Sequence, residues 1–224
     1  MSDSACDREA LIQSLIAAKK LILRYSGGER DGVRTVSEWL QGLNVYLIGM
    51  MGAGKTTVGQ VLAQQLGYQF FDTDAVIEQV AGQPITQLFA EMGETGFRAL
   101  EQQVLAELST YTRLTVATGG GIVTQRQNWS YLRHGVIVWL DVPIAQLQTR
   151  LQADTTRPLL QAGDLTTQLQ TLLAQRRSLY AQADVHIPFQ PAESLEQLAN
   201  RILAQIQGVI KPPIAPPNAD YEAN

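Results

Sequence analysis

The chain has 224 residues, 45% of them hydrophobic and 17% charged, a composition able to bury a globular core. Its net charge of −4 argues against a nucleic-acid binder. No run of about 18 apolar residues suits a membrane span, and the single cysteine, Cys6, excludes an intramolecular disulfide and fits a reducing compartment.

Residues 1–42 read as an N-terminal extension. "LIQSLIAAKKLILRY" (11–25) brings Leu11, Ile12, Leu15, Ile16 and Ile22 near one side of a helix expected over 8–25. Lys19 and Lys20 interrupt its apolar stretch, and Asp3, Asp7 and Glu9 precede it, unlike a secretory signal or a transit peptide. The expected location is therefore the cytoplasm. "SGGERDG" (26–32) breaks the helix, and "VSEWL" (36–40) is a further short helical piece. The extension carries no chemistry and is read as a packing segment, with a partner-docking helix as the alternative.

From Leu43 to 207 the chain reads as one domain. Strands are expected at 43–49, 68–74, 113–118, 135–141 and 184–189. Helices are expected at 55–67, 75–82, 84–108, near 124–133, after Pro143, at 165–183 and at 194–206. This alternation predicts an α/β fold of three layers, a five-stranded parallel sheet covered by helices on both faces. Residues 208–224, with "KPPIAPPNADYEAN", read as a proline-rich disordered tail.

The first strand runs into "GMMGAGKTT" (49–57), which fits G-x-x-x-x-G-K-[ST] through Gly49, Gly54, Lys55 and Thr56. Glycines let such a loop curl so that its N–H groups converge on phosphate oxygens, and the next helix adds its positive N-terminal end. Gly52, Ala53, Gly54, Lys55, Thr56 and Thr57 are the candidate ATP contacts. Lys55 reaches the β- and γ-phosphates, and the Thr56 hydroxyl faces Mg2+.

The second strand ends in "FFDTD". Asp72 and Asp74 alternate and are expected on one face of an extended strand. A kinase for a small alcohol needs one carboxylate near Mg2+ and one near the acceptor hydroxyl. The plainer alternative is a helix start with Asp74 as N-cap. In "GETGFRALE" (93–101), Arg98 and Glu101 are helical neighbours. They form either a surface ion pair or a guanidinium held for a carboxylate ligand. "ATGGGIV" (117–123) ends the third strand in three glycines, which permit positive φ and close backbone approach. Either it is a structural turn or something sits directly against Gly119, Gly120 and Gly121. "RLQADTTRPLLQAGD" (150–164) separates two helices with little to bury and reads as a mobile lid over about 152–164, with Arg157 entering the site on closure. His134 and His186 belong to no catalytic pattern.

"GMMGAGKTTVG", "FFDTDAVIE", "GETGFRALE", "ATGGGIV", "TTRPLL" and "RRSLYAQAD", in this order, resemble shikimate kinase, a P-loop kinase of the nucleoside-monophosphate-kinase class. The resemblance covers roughly residues 43–206. It implies MgATP-dependent phosphorylation of the 3-hydroxyl of shikimate in aromatic amino-acid biosynthesis by a monomer. It also implies Asp74 as ligand of the ring hydroxyls and candidate base, and Asp72 near Mg2+. Arg98 and Arg176 would grip the carboxylate, with Arg177 the adjacent alternative. Gly120 would offer its amide to the substrate, and any side chain there would fill the pocket. Arg157 would meet the transferring phosphate, and Arg150 would lie beside adenine, where a solvated helix face is the alternative. Family members often have proline where Ser178 stands and serine where Thr56 stands. A gluconate-type kinase and a catalytically silent nucleotide-binding protein are the competing readings.

Overall fold

The structure, a computed structural model, describes residues 39–152 and 164–210. Strands β1 (Asn44–Ile48), β2 (Gln69–Asp72), β3 (Leu114–Ala117), β4 (Gly135–Asp141) and β5 (Val185–Pro188) form one sheet in the order β2-β3-β1-β4-β5. Every pairing is parallel; Tyr46 of central β1 lies beside Val116 and Ile137. β1 and β3 are buried at every residue, which a parallel sheet achieves only when helices cover both faces. Those helices are α1 (Lys55–Leu66), α2 (Thr73–Ala81), α3 (Ile85–Leu108), α4 (Asn128–Leu132), α5 (Ile144–Leu151), α6 (Leu165–Tyr180) and α7 (Leu195–Val209). Val45, Leu47, Val58, Leu62, Ile202 and Ile206 are part of the core they enclose.

Local chemistry sets the element ends. Gly67 closes α1 in the left-handed conformation. Ser194 and Gln197 form a reciprocal capping box on α7, and Asp164 caps α6. The expected α/β architecture and five-stranded parallel sheet are present. Several boundaries differ from the sequence reading. α3 is not one continuous helix, because Gly93 (φ 67°, ψ −179°) interrupts it. The single helix expected near 124–133 is a 3-10 turn at Ile122–Thr124 followed by α4. Asn128 Nδ2 donates to Ile122 O (2.8 Å) and Trp129 Nε1 to Val123 O (3.0 Å), pinning that turn.

The most consequential difference is at "FFDTD". β2 stops at Asp72, and Thr73 already opens α2. Asp72 is the N-cap, accepting from the Asp74 amide at 3.0 Å. Asp72 and Asp74 are therefore not alternate residues of one strand, and Asp74 lies in the first helical turn rather than capping it. A strand running one turn further would leave the first amides of α2 without this carboxylate acceptor. The helix expected over 8–25, most of the lid including Arg157, and most of the tail lie outside the described residues.

Candidate active site

The loop after β1 leaves the sheet where β3 and β4 diverge from it, the switch point at which parallel sheets bind ligands. A side chain at Gly49 (φ +138°) would meet Leu140 O at 2.6 Å, so only glycine lets the loop turn over β4. Gly54 (φ +92°) ends the loop in the left-handed conformation and starts α1 without a side-chain cap. Lys55 is buried, and its Nζ donates to Gly49 O (3.0 Å) and Met50 O (2.8 Å), fixing the ammonium inside the loop's curl. Arg150, near the end of α5, donates from Nη1 to Gly52 O (3.1 Å) and Ala53 O (3.3 Å). Its guanidinium lies 5.8 Å from the centroid of the Phe189 ring. Arg150 is thus tied to the loop while remaining exposed on its helix face.

Thr56 Oγ1 donates to Asp72 Oδ2 at 2.6 Å, which joins the first turn of α1 to the end of β2. One hydroxyl and one carboxylate side by side fit Mg2+, which keeps several waters and takes phosphate oxygens with one or two protein ligands. Among the described residues no group of three His, Cys, Asp or Glu side chains could cage a metal alone, so an ion here would depend on phosphate. A cavity of about 370 Å3 is lined by residues 52–57, Asp72, Asp74, Gly120 and Arg150, among others. The phosphate loop, both acidic residues and the middle glycine therefore share one space. Arg98 and Arg176 do not line it; they converge on the neighbouring glycines.

The triple glycine owes its composition to close approach and not to backbone twist, since none of the three has positive φ. A Cβ at Gly119 would fall 2.6 Å from Glu101 Oε1 and 2.8 Å from Asp74 Oδ1. At Gly120 it would meet Met51 N (3.3 Å) and Gly49 O (3.4 Å), so the phosphate loop is its first obstacle. At Gly121 it would lie 2.5 Å from the Arg98 guanidinium carbon. These glycines bring two carboxylates, a guanidinium and the phosphate loop around one stretch of main chain. The Thr73 hydroxyl accepts from the Gly119 amide at 2.9 Å, tying this stretch to α2.

Arg98 is buried, which overturns the surface-pair alternative. Its Nη1 donates to Glu101 at 2.8 Å and its Nη2 to Glu94 at 3.3 Å. Glu101 is completely buried, and its Oε1 has no hydrogen-bond partner. Burial pushes the Glu101 carboxyl above the usual carboxylate range; Arg98 opposes this and Asp74 adds to it. Arg176 is also buried and donates from Nη1 to Gly120 O at 3.2 Å. Arg177 instead points outward to Asp141 Oδ2 (3.2 Å) and lies over Trp139. The arginine beside the glycines is Arg176. His186 stacks on Trp139 and pairs with Asp141, away from the cavity.

Two residues gained weight only in three dimensions. Glu101, read from sequence as a support for Arg98, also approaches Asp74 around Gly119. Tyr180, the last residue of α6, is fully buried and donates to Gly120 O at 2.6 Å. The signal for both was their spacing from an arginine on one helix face, three residues for Glu101 and four for Tyr180.

Residues 51–207 match the family model described as shikimate kinase. The chain belongs to the shikimate kinase family. It is similar to the shikimate kinase of Trichormus variabilis, 60% identical over 176 residues that cover 79% of this chain and 97% of that protein. It is similarly related to that of Nostoc punctiforme, 57% identical over 177 residues, 79% of this chain and 98% of that protein. The fold resembles a solved shikimate kinase from Acinetobacter baumannii in complex with shikimate, with a TM-score of 0.72 and 39% identity. That match covers 77% of this chain and 97% of the other. Membership makes the chain a kinase, an enzyme that uses ATP. No helix among the described residues is long and apolar enough to cross a membrane.

Proposed function

We propose that this chain transfers the γ-phosphoryl group of ATP to the 3-hydroxyl of shikimate, giving shikimate 3-phosphate and ADP on the route to chorismate and the aromatic amino acids. One observation carries the reading beyond the relatives' names. Asp74 lies on the phosphate-loop cavity and is also one of the groups packed around Gly119, and this carboxylate between the two half-sites supports Asp74 as the base.

The roles follow from charge. Phosphoryl transfer needs positioning and neutralisation more than covalent chemistry. The loop amides of Gly52 to Thr57 and the Lys55 ammonium hold phosphate oxygens. Arg150 borders the base of the nucleotide. Thr56 and Asp72 would hold Mg2+, which when bound neutralises phosphate charge. Asp74 orients the ring hydroxyls and accepts the proton from the attacking one. Arg98 and Arg176 take the carboxylate across the wall made by Gly119, Gly120 and Gly121. Arg157 would join them from the lid. We further infer a cytoplasmic protein without a nucleic-acid partner, supported by the acidic composition and the single cysteine, and, on the family resemblance alone, a monomer without a membrane partner.

The test is ADP release from MgATP by purified protein, with and without shikimate, using gluconate and quinate as parallel acceptors. Saturable dependence on shikimate alone is expected. A folded, ATP-binding sample that turns over gluconate or quinate, or no acceptor, overturns the reading.

A further inference from the structure

Gly120 is held from both sides. On one side its Cα faces the phosphate loop, close to Met51 N and Gly49 O. On the other its carbonyl oxygen accepts two donors from α6, Tyr180 Oη at 2.6 Å and Arg176 Nη1 at 3.2 Å. The two bonds are unequal: the tyrosine bond is short and the guanidinium bond long for its kind. Tyr180 is immobilised. It is fully buried, its ring stacks on Trp139 with centroids 5.9 Å apart, and its hydroxyl also lies 3.7 Å from Met50 Sδ on the phosphate loop. Burial pushes its phenol up to about 12, with Arg176 opposing, so the hydroxyl keeps its proton and remains a donor.

We propose that Tyr180 is a positioning residue for substrate recognition: by saturating the Gly120 carbonyl it fixes the glycine wall against the phosphate loop and keeps the Arg176 guanidinium from collapsing onto that oxygen. The inference rests on the proposed shikimate reading for what Arg176 binds. A carbonyl oxygen has two acceptor directions. With the hydroxyl in place, Arg176 is left with a weak bond that an incoming carboxylate can replace. Without it, the guanidinium becomes the sole donor to Gly120 O, settles closer, and must give up a charge-assisted bond to reach a ligand.

The test is Tyr180→Phe, which keeps the ring, the stack on Trp139 and the packed volume. Gly120 O still has Arg176, so no buried acceptor is orphaned and the fold is expected to survive with a melting temperature near that of the parent. The KM for shikimate should rise about two- to tenfold, the range of one neutral hydrogen bond, while the KM for ATP stays fixed. Replacing Tyr180 with 4-aminophenylalanine, which restores a para donor, should recover the parent KM. A purely structural tyrosine would lower the melting temperature and leave that KM in place, which overturns the inference. Hydrogen exchange in the peptide spanning 117–124 supplies a readout that does not depend on turnover. Faster exchange in Tyr180→Phe is expected there, and unchanged exchange overturns the inference even if the parent accepts another substrate. Failure of the parent with shikimate alone counts against the proposed function, not against the fixture at Gly120.

Discussion

Arg98→Ala acts on two equilibria, and the structure separates them. In the folded protein Nη1 is bound to Glu101, which is fully buried, whereas Nη2 reaches Glu94, whose side chain is 61% exposed. The Glu94 pair is screened by water and contributes little. Glu101 decides the outcome, because truncating Arg98 strands a carboxyl that already has one unpaired oxygen. Breaking a buried pair from one side costs about 3–5 kcal/mol. Independently, on the proposed role of Arg98, losing a charged hydrogen bond to the shikimate carboxylate costs about 1.5–3 kcal/mol, roughly 10–150-fold in affinity. The pH dependence distinguishes them. Burial raises the Glu101 carboxyl in the folded state even against Arg98. Between the unfolded and folded values the folded state holds a proton that the unfolded state lacks, so stability falls as pH rises through that window. Removing Arg98 removes the opposing charge and extends the window upward. The melting deficit of Arg98→Ala should therefore be larger at about pH 8 than at about pH 5. Adding Glu101→Gln should recover much of the deficit at the higher pH and leave shikimate affinity low. Thermal melts of both variants at the two pH values, with calorimetric titration of shikimate, check this. A deficit independent of pH, or a double variant no more stable than the single one, refutes the reasoning.

Other substitutions probe the remaining roles. Asp74→Asn should lower kcat by about 10²–10⁴-fold with the fold retained, and a fully active variant removes Asp74 as base. Lys55→Met should abolish transfer to any acceptor, and surviving turnover would rule out the phosphate-loop assignment. Gly121→Ala places a methyl 2.5 Å from the Arg98 Cζ and Nη1, so the guanidinium must move and the KM for shikimate should rise by about tenfold. An unchanged KM would mean that Arg98 does not bind substrate.

The alternation of apolar runs with helical periods was enough to read five strands, because β1 and β4 are continuous buried runs bounded by glycine or proline. Strand ends were harder. "FFDTD" has an extended pattern through Asp74, but the Asp72 side chain competes for the Asp74 amide and starts a helix two residues early. The phosphate loop was legible because its chemistry requires consecutive residues. The acceptor side was legible in its motifs but not in its assembly, since Asp74, Arg98, Glu101 and Arg176 come from three helices and meet only around Gly119–Gly121. Arg176 and Arg177 are neighbours in sequence, and only the helix phase sends one to Gly120 and the other to Asp141.

The three glycines also explain how an acidic chain can bind two anions side by side. Net charge works against both ligands, so attraction must come from cations held at short range. Buried cations without partners would be costly, and the fold gives each one a partner it can loosen. Arg176 has a long bond to Gly120 O, and Lys55 has loop carbonyls. Arg98 is asymmetric: its Nη1 bond to Glu101 is short and buried, while its Nη2 bond to Glu94 is longer and open to water. On the proposed reading an incoming carboxylate therefore displaces Glu94, and Glu101 keeps the guanidinium plane in place throughout. Gly121 makes this possible, because any side chain there would occupy the space in which that guanidinium lies. At Arg98, on this reading, substrate binding replaces one long, water-exposed contact with a desolvated pair, without first breaking the buried one.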